Sequence, residues 1–318
     1  MLPANSCSNA QINRRSPQKS FVNTIRLVFG LFAIALLSQF AFAQAAKEPP
    51  ASEDKTLTTE DNFDLKASYF KSNGGKDAAV VVLLHGKRGQ RRLWTGVATQ
   101  LQKSYDFAVL TVDLRGHGDS AFKKKTELKK TDYEAMVAMD MKAIKEFLFE
   151  EHQKGQLNMA KTGIVGCDFS AAVAIAFAEI DWNEEPYDDN PNADQRTPRG
   201  QDVQALVLVS PDPATPGLFA GRAATGLRNF PLAVMMAASE KNTHDFNATK
   251  KLFDQISNKK EKDKDGRLSF KKYPEDVRGM DLVIKDAQLR KDMSEFLVTH
   301  VKNHKGEWRD RRSRLDRE

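Results

Sequence analysis

Hydrophobic positions along the chain fall into two kinds of run, and the two kinds alternate. Short continuous runs at 78–84 (AAVVVLL) and 107–112 (FAVLTV) are rich in β-branched residues and predict strands buried on both faces. Similar runs at 161–165, 202–209, 232–237 and 267–273 predict four more strands, and 63–70 alternates like a strand with one face wet. Between them, 91–103 carries Leu93, Trp94, Val97 and Leu101 at helical spacing. A longer helix is predicted over 131–152, where Met136, Met139, Ile144 and the 147–149 cluster recur on one side. Residues 171–180 form an Ala-rich pattern fit for a buried helix, and helices at about 245–257 and 281–301 follow. Strand, helix, strand repeated in this way predicts an α/β fold, a mostly parallel sheet with helices on both faces.

Polar interruptions set the expected boundaries. Residues 44–60 (QAAKEPPASEDKTLTTE) hold two prolines and little apolar content, and read as a linker before a domain at 61–301. Residues 182–200 (WNEEPYDDNPNADQRTPRG) form one long polar loop, expected to make a rim or lid over the sheet edge. Residues 302–318 carry seven basic and four acidic side chains and read as a solvated tail.

The start of the chain has a different pattern. Residues 27–43 (LVFGLFAIALLSQFAFA) are apolar without a charge, a basic segment precedes them, and Ala41-Phe42-Ala43 supplies a small-residue cleavage pattern. This is the layout of a secretory signal peptide. The run is also at the lower length limit for a bilayer span, so an uncleaved N-terminal anchor is the alternative. Either reading sends the domain to the periplasm or cell envelope, and the anchor reading adds membrane association through this segment.

Charge and cysteine count then narrow the partners. The formal net charge of +6 is concentrated in the leader. Residues 1–43 hold four of the 49 Lys and Arg and none of the 43 acids, leaving 45 basic side chains against 43 acidic ones. So nearly neutral a domain gives no reason to expect nucleic acid. A small-molecule or lipid ligand is the expected partner. With Cys7 in the leader, Cys167 is alone and no internal disulfide is expected.

Four segments carry the chemistry. Leu83-Leu84-His85-Gly86 ends one predicted strand, and Asp113-Leu114-Arg115-Gly116-His117-Gly118-Asp119-Ser120 closes the next. Gly163-Ile164-Val165-Gly166-Cys167-Asp168-Phe169-Ser170 reads as strand, sharp turn and helix, and 206–210 forms the next buried strand. In this order the segments resemble the α/β-hydrolase superfamily over about 63–301, and the short Pro-rich connection before Leu232 implies no large cap domain.

The resemblance implies a nucleophile, an acid and a histidine in that chain order. Gly166 and Ser170 frame the elbow, so its nucleophile position is Asp168, as in haloalkane dehalogenases and epoxide hydrolases of this fold. A carboxylate there attacks carbon to form an ester that a base-activated water must hydrolyse. The oxyanion-hole positions implied are the backbone N–H groups of Phe169 and Lys87. The histidine position falls on Arg278, which cannot lose its proton, and the acid position falls on Asn242, with Glu240 and Asp245 near. His244, beside Asp245, is the alternative base, with a helix cap as its simpler role. A salt bridge between Asp168 and Arg278 is expected where nucleophile and base face each other in the family. Cys167 is expected to point into the sheet as a core residue.

Two calcium-like stretches are read as loops. Asp188, Asn190, Asn192 and Asp194 lack the required Gly and Glu, and in 263–266 (DKDG) the Glu position falls on Lys272. No cofactor or metal is expected. Two functions are carried forward: a hydrolase-like protein with a degenerate catalytic triad that acts by binding, and an active hydrolase of esters, epoxides or alkyl halides working through Asp168.

Overall fold

Eight strands hydrogen-bond into one sheet in the computed structural model, which describes residues 51–123, 127–257 and 266–317. The leader at 1–43, the start of the expected linker at 44–50 and the acidic stretch at 263–265 lie outside the described residues. The strands are β1 (Glu53–Thr58), β2 (Asp64–Phe70), β3 (Val80–Leu84), β4 (Ala108–Asp113), β5 (Thr162–Cys167), β6 (Val203–Val209), β7 (Ala233–Ser239) and β8 (Leu268–Tyr273). Their spatial order is β1-β2-β4-β3-β5-β6-β7-β8, antiparallel among β1, β2 and β4 and parallel elsewhere.

The burial pattern explains why the strand runs read as they do. Every residue of β3, β5, β6 and β7 is buried, so neither face alternates. The edge strands β1 and β8 keep exposed positions. The helices are α1 (Thr95–Tyr105), α2 (Lys130–Ala135), α3 (Met141–Gln153), α4 (Phe169–Asn183), α5 (Ala220–Gly226), α6 (Thr243–Ile256), α7 (Gly279–Lys285) and α8 (Ala287–Leu297). Val80, Val82 and Leu84 pack with Ile144 of α3 and Ala171 and Ala174 of α4. Val81 and Leu83 pack on the other face with Leu101 of α1 and Leu289 and Met293 of α8. Removing one such fully buried leucine, Leu101→Ala for example, costs about 2–5 kcal/mol through lost transfer and an unfilled void.

Strand order also locates the working edge. From β3 the chain crosses one way to β4 and then the other way to β5. The carboxyl ends of β3 and β5 therefore flank the switch point of the parallel sheet, the place where open α/β sheets bind ligands.

Four expectations from the sequence need correction. The presumed linker contains β1, whose Leu57 is buried against β2. The long helix over 131–152 is interrupted by a π-helical turn at Met136–Asp140, where Asp140 is buried with an oxygen 2.7 Å from Arg115 Nε. The last helix divides at Asp286, whose side chain accepts the Leu289 N–H at 2.8 Å and so starts α8. The basic tail is a strap: Trp308 stacks on His152 with ring centroids 4.9 Å apart, and Arg311 is buried with Nη2 2.6 Å from Asp202 Oδ1. One aromatic anchor and one buried ion pair hold a segment that composition alone assigns to solvent.

The polar loop at 182–200 is also displaced from its expected place. It joins the end of α4 to the start of β6, so it lies at the amino edge of the sheet, opposite the switch point. Its Asp189 accepts the Arg314 N–H of the strap at 2.9 Å. It is no lid over the carboxyl edge. Among the described residues no helix is long and apolar enough to cross a membrane.

Candidate functional site

The turn between β5 and α4 is built for one side chain. Asp168 has φ 52° and ψ −121°, a conformation that costs an L-residue about 1–3 kcal/mol and persists only where its surroundings enforce it. Those surroundings are specific. A Cβ on Gly166 would lie 2.8 Å from Ser170 O and 2.9 Å from Ala171 Cα, so only glycine fits there. Ser170 Oγ accepts the Cys167 N–H at 2.9 Å and lies 2.9 Å from the Cys167 carbonyl, clasping the turn from inside. Asp168 itself donates its N–H to Val209 O at 3.1 Å.

Its carboxylate is aimed across the switch point, and its side chain is only 10% exposed. The Lys87 N–H donates to Oδ2 at 3.1 Å. Gly86 and Gly279 wall the group closely, because a Cβ on either would fall within 2.4 Å of a carboxylate oxygen. Gly279 also has φ +56°, so glycine is required there twice over.

Arg278 closes the site from the loop after β8. Its Nη2 donates to Ser210 O at 2.7 Å and to Asp212 Oδ1 at 2.9 Å, and lies 3.5 Å from Asp168 Oδ1. Its Nε lies 3.4 Å from Asp245 Oδ1. Asp245 is buried at the start of α6, where its Oδ2 accepts from Ser210 Oγ at 2.8 Å and from the Ser239 N–H at 3.1 Å. Three carboxylates thus surround one guanidinium.

The balance of these forces sets the protonation of Asp168. Burial pushes its carboxyl up to about 6; Arg278 and the Lys87 N–H pull down, while Asp212 and Asp245 push further up. Arg278 is driven the other way: burial opposes its charge, but the carboxylates of Asp168 and Asp212 outweigh it and hold the proton more firmly.

The remaining sequence candidates divide clearly. Asn242 caps α6, its side chain accepting the Asp245 N–H at 3.0 Å, and the carboxylate beside Arg278 belongs to Asp245. His244 is exposed on the first turn of α6, and among the described residues nothing joins it to Asp168. Phe169 turns its ring into an aromatic cluster, stacked on His117 at 5.0 Å and edge-on to His85 at 5.9 Å. His85 is buried with both nitrogens engaged, Nδ1 on Gly86 O at 2.9 Å and Nε2 accepting the Leu114 N–H at 3.2 Å. Burial and the neighbouring His117 push it down to about 4. Cys167 is buried, and burial pushes its thiol up, so it is no nucleophile.

Sequence reasoning missed Asp212 and passed over Asp245. Asp212 lies two residues beyond Ser210, at the carboxyl end of β6 where site residues of parallel sheets gather, and that position was the available signal. Chemically, the arrangement supplies a buried carboxylate at a strained turn, one backbone donor already engaged by it, and a fixed guanidinium.

Comparison with known proteins agrees with this architecture. The profile described as "Alpha/beta hydrolase family" matches residues 81–303. Among solved structures, the chain is similar to the α/β hydrolase GrgF from Penicillium sp. sh18, at 13% identity and TM-score 0.54 over 79% of this chain and 99% of that one. It is similar to the esterase Pf2001 of Pyrococcus furiosus, at 16% identity and TM-score 0.52 over 79% and 92%. An esterase of Pyrobaculum calidifontis aligns at 14% identity and TM-score 0.50 over 91% and 95%. No curated protein matches in sequence.

Proposed function

The chain belongs to the α/β-hydrolase family, and from that premise we propose that it is an exported member with a degenerate triad, acting by binding rather than by turnover. One observation carries the reading: the Asp168 carboxylate is held on both sides, by the Lys87 N–H at 3.1 Å and by Arg278 at 3.5 Å. In an active site of this fold the Lys87 N–H would be free to receive an oxyanion. Here it is spent on the residue at the nucleophile position. The group facing that residue is a guanidinium, which cannot take a proton from water to release a covalent intermediate. Export rests on the apolar run at 27–43 and its cleavage pattern, and places the protein in the periplasm or cell envelope, with the same run as a membrane anchor if uncut. The ligand is a small molecule or lipid, in keeping with a nearly neutral domain.

A second reading is kept because the elbow dihedrals of Asp168 and its carboxyl near 6 are those of a strained, tuned residue. In it Asp168 attacks an ester, an epoxide or an alkyl halide, and a base other than the exposed His244 must release the product. The test is turnover of activated esters, epoxides and haloalkanes by the purified protein beside Asp168→Asn. Equal, background rates for both support the binding reading. Turnover lost in Asp168→Asn, with a covalent adduct on Asp168 by mass spectrometry, establishes the hydrolase.

A further inference from the structure

One partner of the C-terminal strap can change its charge. His152, near the end of α3, is fully buried beneath it. Its Nε2 lies 2.7 Å from the strap's Arg309 O, and its Nδ1 accepts the Met159 N–H at 3.2 Å. A carbonyl can only accept and a backbone N–H can only donate, so these partners fix the ring as the neutral imidazole with its proton on Nε2. Trp308 stacks on that ring with centroids 4.9 Å apart, and its own Nε1–H donates to His152 O at 3.1 Å.

The strap also holds the polar loop. Arg311 Nη2 donates to Gly200 O at 3.1 Å, Arg314 Nη2 to Gln195 O at 2.7 Å and Arg317 Nη2 to Thr197 Oγ1 at 3.0 Å. Tyr187, Pro198 and Arg199 of the loop join Arg311 of the strap in lining a cavity of about 750 Å³, whose other walls include residues of α3 and α4. Strap and loop therefore close that cavity together.

We propose that His152 is an acid-sensitive latch: a second proton, taken up at Nδ1, releases the strap and with it the polar loop, and opens the cavity they wall. A proton on Nδ1 would face the Met159 N–H donor to donor, and would leave a cation buried under Trp308. The charged neighbours do not compensate it. On the strap Arg311 repels it, and Asp310 is already paired with Arg312 at 2.7 Å. On α3 Glu151 is engaged by Lys154 at 2.9 Å, and Lys76 Nζ lies 4.0 Å from the Trp308 ring.

The sign follows. Burial pushes the His152 imidazole below its ordinary value; Arg311 adds to this, while Arg309 O and Asp310 act against it. The docked strap thus disfavours a proton that the released strap accepts. Docking is full above the ordinary imidazole value of about 6.5 and is lost as pH falls below it. Asp202 works in the opposite sense and in a separate window, because burial pushes its carboxyl up to about 8. His304, lowered by burial and by Lys161, is the competing imidazole on the same segment. Asp168 takes no part, so the latch stands or falls separately from the reading of the carboxyl edge.

The test is amide hydrogen exchange of the full chain from pH 7.5 to 4.5, with rates corrected for their intrinsic pH dependence. Residues 303–317 and 183–200 should together exchange about tenfold faster at pH 5 than at pH 7.5, towards the level of Trp308→Ala at either pH. His152→Gln can accept from Met159 and donate to Arg309 without titrating, so its strap should stay protected throughout. His304→Gln should keep the step. Strap protection flat with pH in the parent protein overturns the proposal, as does an equal step in His152→Gln or a step lost in His304→Gln. A second measurement does not depend on the Gln variants: by linkage, the His152 imidazole followed by NMR must titrate at higher pH in Trp308→Ala than in the parent. Equal midpoints overturn the latch.

Discussion

Arg278 Nη2 lies 3.5 Å from Asp168 Oδ1, and the same nitrogen makes shorter contacts to Asp212 Oδ1 at 2.9 Å and Ser210 O at 2.7 Å. The guanidinium is therefore anchored by the β6 edge and reaches towards Asp168 from there. It is shared among three carboxylates, so Asp168 receives only part of its charge and burial keeps the Asp168 carboxyl high. The cluster is held in place at a cost to the fold, as binding and catalytic sites commonly are.

Removing the shared cation exposes that cost. Arg278→Ala leaves Asp168, Asp212 and Asp245 facing one another, and is expected to destabilise the protein by about 1–3 kcal/mol. Pairing it with Asp168→Asn should recover part of the loss, because one of the repelling charges is gone. Urea unfolding of the two single variants and the double variant measures the coupling. Strict additivity would mean that the two side chains do not interact.

The sign of the pH dependence follows from the Asp168 carboxyl. Its folded value of about 6 lies above the unfolded carboxylate value of about 3.9, so the folded protein binds the proton more tightly. Its contribution is full below the unfolded value and is lost as pH rises from about 4 through 6. The loss is on the order of 2–3 kcal/mol. Asp168→Asn cannot ionise, so it should gain on the parent across this window and be the more stable form at pH 7–8 relative to their difference at pH 4. Unfolding midpoints at pH 4, 5, 6, 7 and 8 read this directly, and a parent-to-variant difference flat with pH would refute the assignment.

How much of this could be read in the sequence depended on whether the signal was local. The strands of the buried sheet were legible because runs such as VVVLL are rich in β-branched residues and too short for a helix of ordinary length. The elbow was legible because Gly166 and Ser170 bracket it within five residues. The facing of Asp168 by Arg278 followed from chain order within the resembled family. What stayed hidden was long-range pairing between polar groups. The strap depends on Trp308 finding His152 and Arg311 finding Asp202, more than a hundred residues apart in each case, and no local pattern encodes a partner at that distance. Asp245 was misjudged for a related reason: Asn242 has the cap geometry that brings Asp245 inward, and spacing alone does not distinguish the cap from the acid.

The strap should accordingly behave as part of the fold. Arg311→Ala removes the partner of buried Asp202, whose carboxyl burial pushes up to about 8 so that it takes a proton once unpaired, and about 1–3 kcal/mol is expected. Trp308→Ala removes a ring stacked on His152 and capped by Lys76 Nζ at 4.0 Å, and about 1–2 kcal/mol is expected. Thermal unfolding and limited proteolysis of the two variants check this. A tail that is cleaved freely in the parent protein would contradict the structure described here.

The proposed loss of turnover makes a last, constructive prediction. If Asp168 and Arg278 are all that separates the carboxyl edge from an esterase, then Asp168→Ser with Arg278→His should restore one. The elbow backbone already exposes its central side chain, and the Lys87 N–H, freed of the carboxylate, can receive an oxyanion. Asp245 lies within 3.4 Å of the Arg278 Nε position, near enough to orient an introduced imidazole. Hydrolysis of p-nitrophenyl acetate by the double variant should exceed that of either single variant by about 10²-fold, the lower range of a working acid–base pair. Adding Asp245→Asn should remove most of the gain, because the imidazole would lose the carboxylate that fixes its tautomer. A double variant no faster than the single ones would place the defect elsewhere, most simply in the close walls of Gly86 and Gly279, which leave room for a carboxylate but none for the substrate beside it.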